Sequence, residues 1–355
     1  MILSYIFYIS LLVINCILAA IAQKKNNKKL LFVVVILMSL VVGLRNYSVG
    51  IDTKSYATEF NIISINGTVY WEHSFTVLCS LLQKISKNPT FIFFVCALIT
   101  YSFIIFRLWD FRKISSLSVM ISCFYILFFF RTLSAVRQCC AIAICFYFSR
   151  YIWKKRYFTF ILGVIIASFF HKSAYLCFLY LGTELLLWKF ISKKQKMIMS
   201  LAIISVPFMF RYATTIFQHY EFYFASSNVD IGYLVLGKLL FLIVTYFLTI
   251  KNDNKLIESK KLIMAESSYQ KKSVFIYYLM GLVLTIPGYY FTYMERIGLY
   301  FYIFEAVYIG ILLNGKFTKT KFIYFVGVLI LLGYPFVSAL VTDGYGVLPY
   351  KFFWQ

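Results

Sequence analysis

The sequence predicts an all-α, polytopic integral membrane protein with about 12 transmembrane helices. Hydrophobic residues make up 62% of the 355 residues, and only 14% are charged. With a mean hydropathy of +0.81, most of the chain cannot form a water-facing surface. Apolar runs approaching the roughly 20 residues of a membrane-spanning helix recur along the chain. Short clusters of lysine and arginine separate these runs, which is typical of membrane proteins.

The apolar runs predict twelve spans in chain order. The first, residues 1–22, has no basic segment before it, so we interpret it as a retained span rather than a cleaved signal. One further segment, Ser74–Ile85, is too short to cross, and we predict an outer loop over residues 45–89 in which it forms a re-entrant or interfacial helix. The other eleven spans are predicted at residues 30–44, 90–106, 114–130, 133–152, 157–171, 174–190, 197–212, 232–250, 273–291, 297–313 and 321–342.

The charge of the connections predicts their side of the membrane. Lysine-rich and lysine-poor connections alternate, with total net charges of +20 and +3. Because positive connections stay in the cytoplasm, both termini are predicted to lie outside. A full span over 74–85 would put the strongest lysine clusters outside, which favours the re-entrant or interfacial interpretation. Residues 251–272 are predicted to form a cytoplasmic loop, and no repeat or linker divides the single membrane domain, residues 1–355.

Composition and spacing exclude several functions. The 35 basic residues against 13 acidic ones would suggest nucleic acid in a soluble protein, but no continuous soluble face is available for a basic footprint. We therefore expect no nucleic-acid partner. The eight cysteines form no CxxC pair and the three histidines no HExxH motif, so neither a metal site nor a redox motif is predicted.

Arginine and lysine residues are distributed differently between the two predicted sides of the membrane. Five of 26 lysines but five of nine arginines fall on the outer side. A guanidinium group matches phosphate oxygens two at a time, which suggests an anionic ligand there; the alternative is snorkelling to lipid headgroups. An apolar helix continues beyond Arg137, so this residue is expected to face the bundle interior and to be functional. The outer arginines are Arg45, Arg131, Arg137, Arg211 and Arg296.

Three residues are candidates for proton transfer on the outer side. His171 stands between two apolar segments, where an imidazole can exchange a proton near neutral pH; the alternative is that it only caps a helix end. Asp52 and Glu72 are carboxylates that pair with arginines or receive a proton from a hydroxyl; the alternative is that they are only solvated at the surface. These patterns do not rank the three candidates.

Six motifs in order along the chain resemble the EpsG-like group of Wzy-type polysaccharide polymerases. The resemblance covers nearly the whole chain, and the ordered set is more specific than any one motif. Cys140 departs from the family pattern, which usually has an aliphatic residue before the alanine. The motifs are GLRNYSVGIDTKSY (43–56), YWEHSFTVLCSLLQKI (70–85), SAVRQCCAIAI (134–144), ASFFHKSAYL (167–176), MERIGLYF (294–301) and LPYKFFW (348–354).

The resemblance implies a bacterial inner (cytoplasmic) membrane enzyme related to the lipid-dependent, GT-C-like glycosyltransferases. Such an enzyme joins undecaprenyl-diphosphate-linked oligosaccharides at the outer leaflet into capsule, exopolysaccharide or O-antigen. It needs no metal, cofactor or nucleotide sugar. Membrane lipids, a flippase and a chain-length regulator are candidate partners. The alternatives are a flippase or transporter of the same lipid-linked oligosaccharide, a membrane acyltransferase, and a non-catalytic assembly partner.

The resemblance also implies roles for residues in the motifs. The leaving diphosphate is expected to be bound by arginines, and the incoming sugar hydroxyl to lose its proton to a base. The predicted diphosphate-binding residues are Arg45, Arg137 and Arg296, with Arg211 and Lys351 as further candidates. The predicted bases are His171, Asp52 and Glu72, and the predicted sugar-groove residues are Tyr56, Gln138 and Ser173.

Overall fold

The computed structural model describes residues 1–65, 69, 71–185, 197, 233–250, 262–285, 295–315 and 318–355. Helices dominate these residues, and no strand occurs among them apart from an isolated antiparallel bridge between Arg45 and Phe352. The all-α prediction is therefore confirmed for the described part of the chain.

Four of the described helices are long and apolar enough to cross a membrane: Ile2–Lys24, Thr90–Asp110, Leu117–Ser134 and Lys319–Val341. Shorter apolar helices occur at Leu30–Gly43, Tyr157–Ser168 and Leu234–Leu248. These helices identify a multi-pass membrane protein. The number twelve stays a prediction, because the first half of the loop at 251–272 and all of the expected span at 197–212 except Met197 lie outside the described residues. Residues 262–272 of that loop are helical and continue into the next helix, Leu262–Thr285.

The described helices are numbered in chain order. Their bounds are α1 (Ile2–Lys24), α2 (Leu30–Gly43), α3 (Thr53–Ser64), α4 (His73–Gln83), α5 (Thr90–Asp110), α6 (Leu117–Phe124), α7 (Phe130–Ser134), α8 (Val136–Phe148), α9 (Arg150–Trp153), α10 (Tyr157–Ser168), α11 (Leu179–Leu185), α12 (Tyr233–Thr245), α13 (Leu262–Thr285), α14 (Glu295–Tyr302), α15 (Phe304–Leu312), α16 (Lys319–Val328) and α17 (Tyr334–Val341). Three π-helical turns, Tyr125–Phe129, Tyr246–Ile250 and Leu329–Gly333, continue α6, α12 and α16, and a 3₁₀ helix, Lys172–Phe178, precedes α11.

Helix α2 illustrates how an apolar run becomes a packed helix. Its sequence contains many β-branched residues, which favour strands in water. In a bilayer, however, every backbone group must be bonded within the segment, so a helix forms. Val34 and Met38 are buried against the bundle while Phe32 and Ile36 stay exposed. A Cβ on Gly43 would lie 2.6 Å from the Cβ of Phe94, so glycine permits the close crossing of α2 and α5.

Antiparallel packing separates the helix ends into two groups. Near the end of α1, the amide of Gln23 donates to the carbonyl of Arg112 and its oxygen accepts from the N–H of Leu117. The connections after α1 and after α5 therefore lie together, with the basic residues Lys24, Lys25, Lys28, Lys29, Arg112 and Lys113. We call this the lysine-rich end.

The opposite end of the bundle brings the two termini together. The hydroxyl of Tyr8 in α1 donates to the carbonyl of Val347 at 3.0 Å, and the hydroxyl of Tyr350 donates to the carbonyl of Val41 at 2.8 Å. The N–H of Asn46 donates to the carbonyl of Lys351 at 2.9 Å. The C-terminal segment thus covers the start of α1 and the end of α2. We call this the motif end.

Helix α4 lies within the predicted outer loop. Its 11 residues rise about 16 Å, roughly half of the hydrocarbon thickness of a bilayer. Phe75 and Cys79 are buried in a small cluster that also contains Phe60, Phe93 and Val136, and this cluster attaches α3 and α4 to α5 and α8. Whether α4 is re-entrant or interfacial stays a prediction.

Candidate functional site

A cavity of about 170 Å³ lies at the motif end of the bundle. Its wall comes from α3 and the residue before it, from Trp71 shortly before α4, from the start of α8, from the segment after α10 and from the start of α14. We call it the charged cavity. Its lining residues are Asp52, Ser55, Tyr56, Glu59, Trp71, Ala135, Arg137, Gln138, His171 and Arg296.

Helix α3 contributes a polar stripe to the charged cavity. Asp52, Ser55, Tyr56 and Glu59 are spaced so that they share one face of a helix. The opposite face, with Ala57, Phe60 and Ile63, is buried in the small cluster beneath. The hydroxyl of Ser55 donates to Oε1 of Glu59 at 3.2 Å. Oε2 of Glu59 is buried, with no hydrogen-bond partner among the described residues.

Arg137, in the first turn of α8, is held by an ion pair and by aromatic rings. Its Nη1 donates to Oε2 of Glu72, and the two side chains are only 17% and 13% exposed. Its Nε donates to the hydroxyl of Tyr56 at 3.4 Å. The guanidinium carbon lies 5.6 Å from the ring centre of Trp71 and 5.7 Å from that of Phe75. These contacts fix the plane of the guanidinium group before any ligand binds.

Glu72 connects Arg137 to the segment that contains His171. While Oε2 of Glu72 accepts from Arg137, its Oε1 accepts from the backbone N–H of Lys172 at 3.1 Å. The hydroxyl of Ser74 donates to the carbonyl of Phe169 at 2.9 Å and ties α4 to the same segment. Glu72 does not line the charged cavity, and both of its oxygens are engaged. This geometry favours a positioning role over the predicted role as base.

His171 faces Ser173 with one ring nitrogen. Nδ1 lies 3.3 Å from the backbone nitrogen of Ser173 and 2.6 Å from its hydroxyl oxygen. That hydroxyl oxygen also lies 2.8 Å from the hydroxyl of Tyr300 in α14. Ser173, predicted to contact sugar, therefore contacts the imidazole instead and does not line the charged cavity.

The surroundings of His171 favour its neutral form. Burial, which penalises the charged imidazolium, lowers the pKa of His171 from 6.5 to about 4. Glu72 opposes this shift, whereas Arg137 and Arg296 add to it. At neutral pH the imidazole is therefore uncharged.

Gln138 and Arg296 join α8 to α14 at the cavity wall. The side-chain amide of Gln138, which is 3% exposed, donates to the backbone carbonyl of Arg296 at 3.2 Å. A Cβ on Gly298 would lie 2.4 Å from Cγ2 of Thr285, so glycine lets α14 approach the end of α13 closely. Arg137, Arg296 and His171, which are far apart in sequence, thus share one cavity, as do the predicted residues Asp52, Tyr56 and Gln138.

Arg45 lies outside the charged cavity. Its side chain is 0% exposed, and its guanidinium carbon lies 4.2 Å from the ring centre of Phe93. Its nitrogen atoms donate hydrogen bonds to protein acceptors. These bonds hold the loop after α2 against the end of α7. The geometry therefore does not support the prediction that Arg45 binds a diphosphate, and it indicates a structural role. The acceptors are the carbonyls of Val42, Val49 and Leu133 and the hydroxyl of Thr53.

The two further cationic candidates are not part of the cavity wall. The side chain of Lys351 is exposed and does not line the charged cavity, although its backbone carbonyl helps to close the motif end. Arg211 lies outside the described residues. Sequence reasoning missed Ser55, Glu59 and Trp71; the helical spacing from Asp52 pointed to the first two, whereas nothing in the sequence placed Trp71.

Two more cavities follow the charged cavity, and only the first of them shares lining residues with it. A middle cavity of about 340 Å³ shares Asp52, Ala135, Gln138 and Arg296 with it and adds Arg131. A third cavity of about 330 Å³ shares Arg131, Leu299 and Tyr345 with the middle cavity. We call the third the apolar cavity, because its walls are mainly aliphatic and aromatic. They include Ile126, Leu127, Phe130, Leu234, Leu331, Leu332, Phe336 and Ala339.

The fold and the site together define a class of protein. A multi-pass helical membrane protein whose cavity combines two arginines, a histidine and carboxylates at one end of the bundle is suited to bind a polar, anionic ligand at a membrane surface.

Comparison with known families identifies the chain more closely. The model of the EpsG family matches residues 28–352. The chain belongs to the EpsG family, a family of Wzy-like polymerases, and the resemblance predicted from the motifs is confirmed. Searches of curated proteins and of solved structures each found no match.

Proposed function

We propose that the chain transfers a growing glycan from undecaprenyl diphosphate to a sugar hydroxyl of a second lipid-linked repeat unit at the outer leaflet. Family membership supplies the class of reaction, a Wzy-like polysaccharide polymerase. The observation that supports the residue roles is the charged cavity, where Arg137, Arg296 and His171 meet the carboxylates of α3.

The reaction exchanges one bond at the anomeric carbon for another. The acceptor hydroxyl oxygen forms a bond to this carbon, the bond to the diphosphate oxygen breaks, and the acceptor proton passes to a base. Negative charge develops on the diphosphate as it leaves, and fixed cations in a dry cavity stabilise that charge. In this proposal Arg137 and Arg296 bind the diphosphate, and the reaction needs no metal ion.

The fixed geometry of Arg137 supports this role. Glu72 and the rings around the guanidinium group hold it in one plane, so little reorganisation is needed when the diphosphate arrives. Tyr56 and Gln138 line the same cavity and contact the sugar in this proposal. Asp52, which lines the charged and middle cavities, supplies a carboxylate close to the acceptor hydroxyl.

The adjoining cavities support a lipid-linked substrate. The charged cavity is too small for an isoprenoid chain, but the middle cavity connects it, through shared lining residues, to the apolar cavity. Arg131 lines both the middle and the apolar cavity, so a cation lies where a headgroup would meet a hydrocarbon chain. In this proposal the first isoprene units of the carrier occupy the apolar cavity.

One observation favours a flippase as the second candidate. Lys238 lines the apolar cavity and lies 3.0 Å from Glu305, with both side chains at most 3% exposed. Ionisable groups within a membrane often mark a transport route. Here the pair also contacts Tyr278 and Tyr302, so the charges are bonded to one another and to neighbouring hydroxyls.

A deletion strain separates the candidates. The proposal predicts single repeat units on the cell surface in place of polymer, with polymer restored by the wild-type chain. Loss of all surface glycan would indicate a flippase, and full-length polymer lacking a modification would indicate an acyltransferase. Either of these results would contradict the proposed function.

A further inference from the structure

The Nδ1 atom of His171 is an acceptor of two hydrogen bonds. The backbone N–H of Ser173 points at it from 3.3 Å, and a backbone N–H can only donate. Nδ1 must therefore be unprotonated in this arrangement. The hydroxyl of Ser173, 2.6 Å from the same nitrogen, must then donate its proton as well.

Tyr300 completes a directed chain of hydrogen bonds. Because the proton of Ser173 is directed to His171, the oxygen of Ser173 accepts from the hydroxyl of Tyr300 at 2.8 Å. Tyr300 is 0% exposed, and its backbone carbonyl accepts from the hydroxyl of Tyr180. The chain of donors thus runs from Tyr300 through Ser173 to His171, and it is anchored in the bundle core.

We propose that His171 acts in the charged cavity as a neutral Nε2–H donor to the substrate, held in this tautomer by Ser173 and Tyr300, and that Glu59 receives the acceptor proton. This inference rests on the proposed function. A neutral imidazole with Nδ1 occupied and Nε2 protonated has no lone pair left for the acceptor hydroxyl. The Nε2–H group is suited instead to a diphosphate or sugar oxygen, to which it donates without transferring its proton.

Glu59 enters the proposal through a separate observation. Its Oε2 is buried, without a hydrogen-bond partner in the described part of the chain, while Ser55 holds Oε1 in place. Glu59 is only partly buried as a residue, and this oxygen has lone pairs that can accept a hydrogen bond from a ligand group. Glu59 lines the same cavity as His171. The acceptor hydroxyl therefore gives its proton to this oxygen as its own oxygen bonds to the anomeric carbon.

The tautomer is tested directly by nitrogen NMR. Full-length protein with ¹⁵N-labelled histidine in lipid nanodiscs contains three histidines, and comparison with His171→Gln assigns the signals of His171. We expect an unprotonated Nδ1 and a protonated Nε2 at pH 7, and an added population of the Nδ1–H form in Ser173→Ala. An unprotonated Nε2, or an imidazolium ion, in the wild-type protein would overturn the inference. This test requires no polymerase activity, so it stands apart from a failure of the proposed function.

Three substitutions of His171 distinguish a hydrogen-bond donor from a base. The amide nitrogen of glutamine reaches about as far as Nε2, whereas that of asparagine reaches about as far as Nδ1. We expect His171→Gln to keep polymerisation within about tenfold of wild type, and His171→Asn and His171→Ala to lose on the order of 100-fold. The exposed His73→Gln is the matched control. If His171→Gln is folded but as inactive as His171→Ala, the donor role is wrong.

Glu59 is tested by removing its charge at constant size. Glu59→Gln is expected to lower turnover by about 100-fold or more, with little change in the KM for lipid-linked substrate. Thr58→Ala, an exposed change on the same helix, should leave turnover unchanged. Wild-type turnover in Glu59→Gln would show that Glu59 is not the base. The role of His171 is decided separately, by the NMR measurement and by the substitutions of His171.

Discussion

At the scale of single residues, the arginines of the motif end divide into two kinds. The guanidinium nitrogen atoms of Arg45 donate hydrogen bonds to protein acceptors, and the side chain has no exposed surface. Arg137 lines a cavity and is held by one carboxylate and several rings. Their sequence contexts look alike, since each stands at an end of an apolar run. The difference between the two arginines arises from their tertiary contacts. The role of each arginine therefore has to be tested by its own substitution.

Arg137→Lys is expected to reduce polymerisation by at least about 100-fold, because an ammonium group has neither the planar fork nor the stacking surface of a guanidinium group. Arg137→Ala should have the same effect. The measurement is polymer yield at equal membrane levels of protein, and Arg112→Lys at the lysine-rich end is the control. Normal polymer length in the Arg137→Lys strain would show that a bidentate contact is not required.

Arg45→Ala is expected to destabilise the protein rather than to weaken substrate binding. The substitution leaves buried carbonyls without their donor, and each such loss costs about 1–3 kcal/mol. The midpoint of thermal unfolding in detergent should therefore fall, while the KM of the remaining folded protein stays close to that of wild type. Ser48→Ala in the same loop is the control. An unchanged midpoint of thermal unfolding together with a raised KM would indicate that Arg45 binds the ligand.

The pKa of His171 predicts a dependence of stability on pH. Because this pKa is lowered from 6.5 to about 4 in the folded protein, the unfolded chain binds more protons than the folded one between these values. Stability should thus be fully present above pH 6.5 and decrease as the pH falls toward 4. His171→Gln should make this decrease shallower. Equal slopes of thermal midpoint against pH in the two proteins would contradict the shift and its origin in burial.

At the scale of elements, hydropathy predicted that the apolar runs are helical, but it did not predict where the helices break or how they contact one another. The predicted spans 133–152 and 297–313 are each divided between two helices, α8 and α9 in the first and α14 and α15 in the second. The long apolar runs form α1, α5 and the α6–α7 and α16–α17 pairs. An apolar run in a bilayer forms a helix because its backbone groups must be hydrogen-bonded within the segment. The spacing of Asp52, Ser55, Tyr56 and Glu59 already contained the polar stripe of α3. The pairing of Glu72 with Arg137, and of His171 with Ser173 and Tyr300, depends on how helices cross, which no local pattern encodes.

The π-helical turns show a further limit of sequence reasoning. Ile126 and Leu127 in one turn, and Leu331 and Leu332 in another, line the apolar cavity. A π turn widens a helix locally and is frequent at functional sites. An apolar sequence does not reveal where such a turn forms, so the cavity could not be predicted.

Filling the apolar cavity is expected to impair use of the lipid-linked substrate. Ala339, on α17, lines this cavity, and Ala339→Trp places a large ring where the proposal puts isoprene units. The KM for lipid-linked repeats should rise about tenfold or more, with a smaller change in turnover. Val337→Trp, at an exposed position on the same helix, is the matched control. An unchanged KM in Ala339→Trp would exclude the apolar cavity as the carrier site.

At the scale of the whole molecule, the two ends of the bundle differ in charge and in content. Lysine clusters gather at one end, while the charged cavity and the C-terminal segment lie at the other. The alternation of charge along the sequence predicts that the lysine clusters and the motif residues lie on opposite sides of the membrane. In the structure, Gln23 bonds to the connection after α5 at one end of the bundle, whereas Tyr8 and Tyr350 bond the C-terminal segment at the other end. Which end faces the exterior stays a prediction of the positive-inside rule.

Labelling of intact cells tests the orientation. Ser48→Cys at the motif end should react with a membrane-impermeant maleimide, whereas Asn27→Cys at the lysine-rich end should react only after the membrane is opened. Of the eight native cysteines, seven are buried and Cys16 is partly buried, so we expect little background. The reverse labelling pattern would place the charged cavity on the cytoplasmic side.

The central claim is that the charged cavity joins lipid-linked repeat units through its arginines. Its most direct test is polymerisation in vesicles that contain only the purified protein and undecaprenyl-diphosphate-linked repeats, followed by separation of the products by size. We expect a ladder of multiple repeats from the wild-type protein and single repeats from Arg137→Lys. Single repeats from both proteins, or equal ladders from both, would contradict the account.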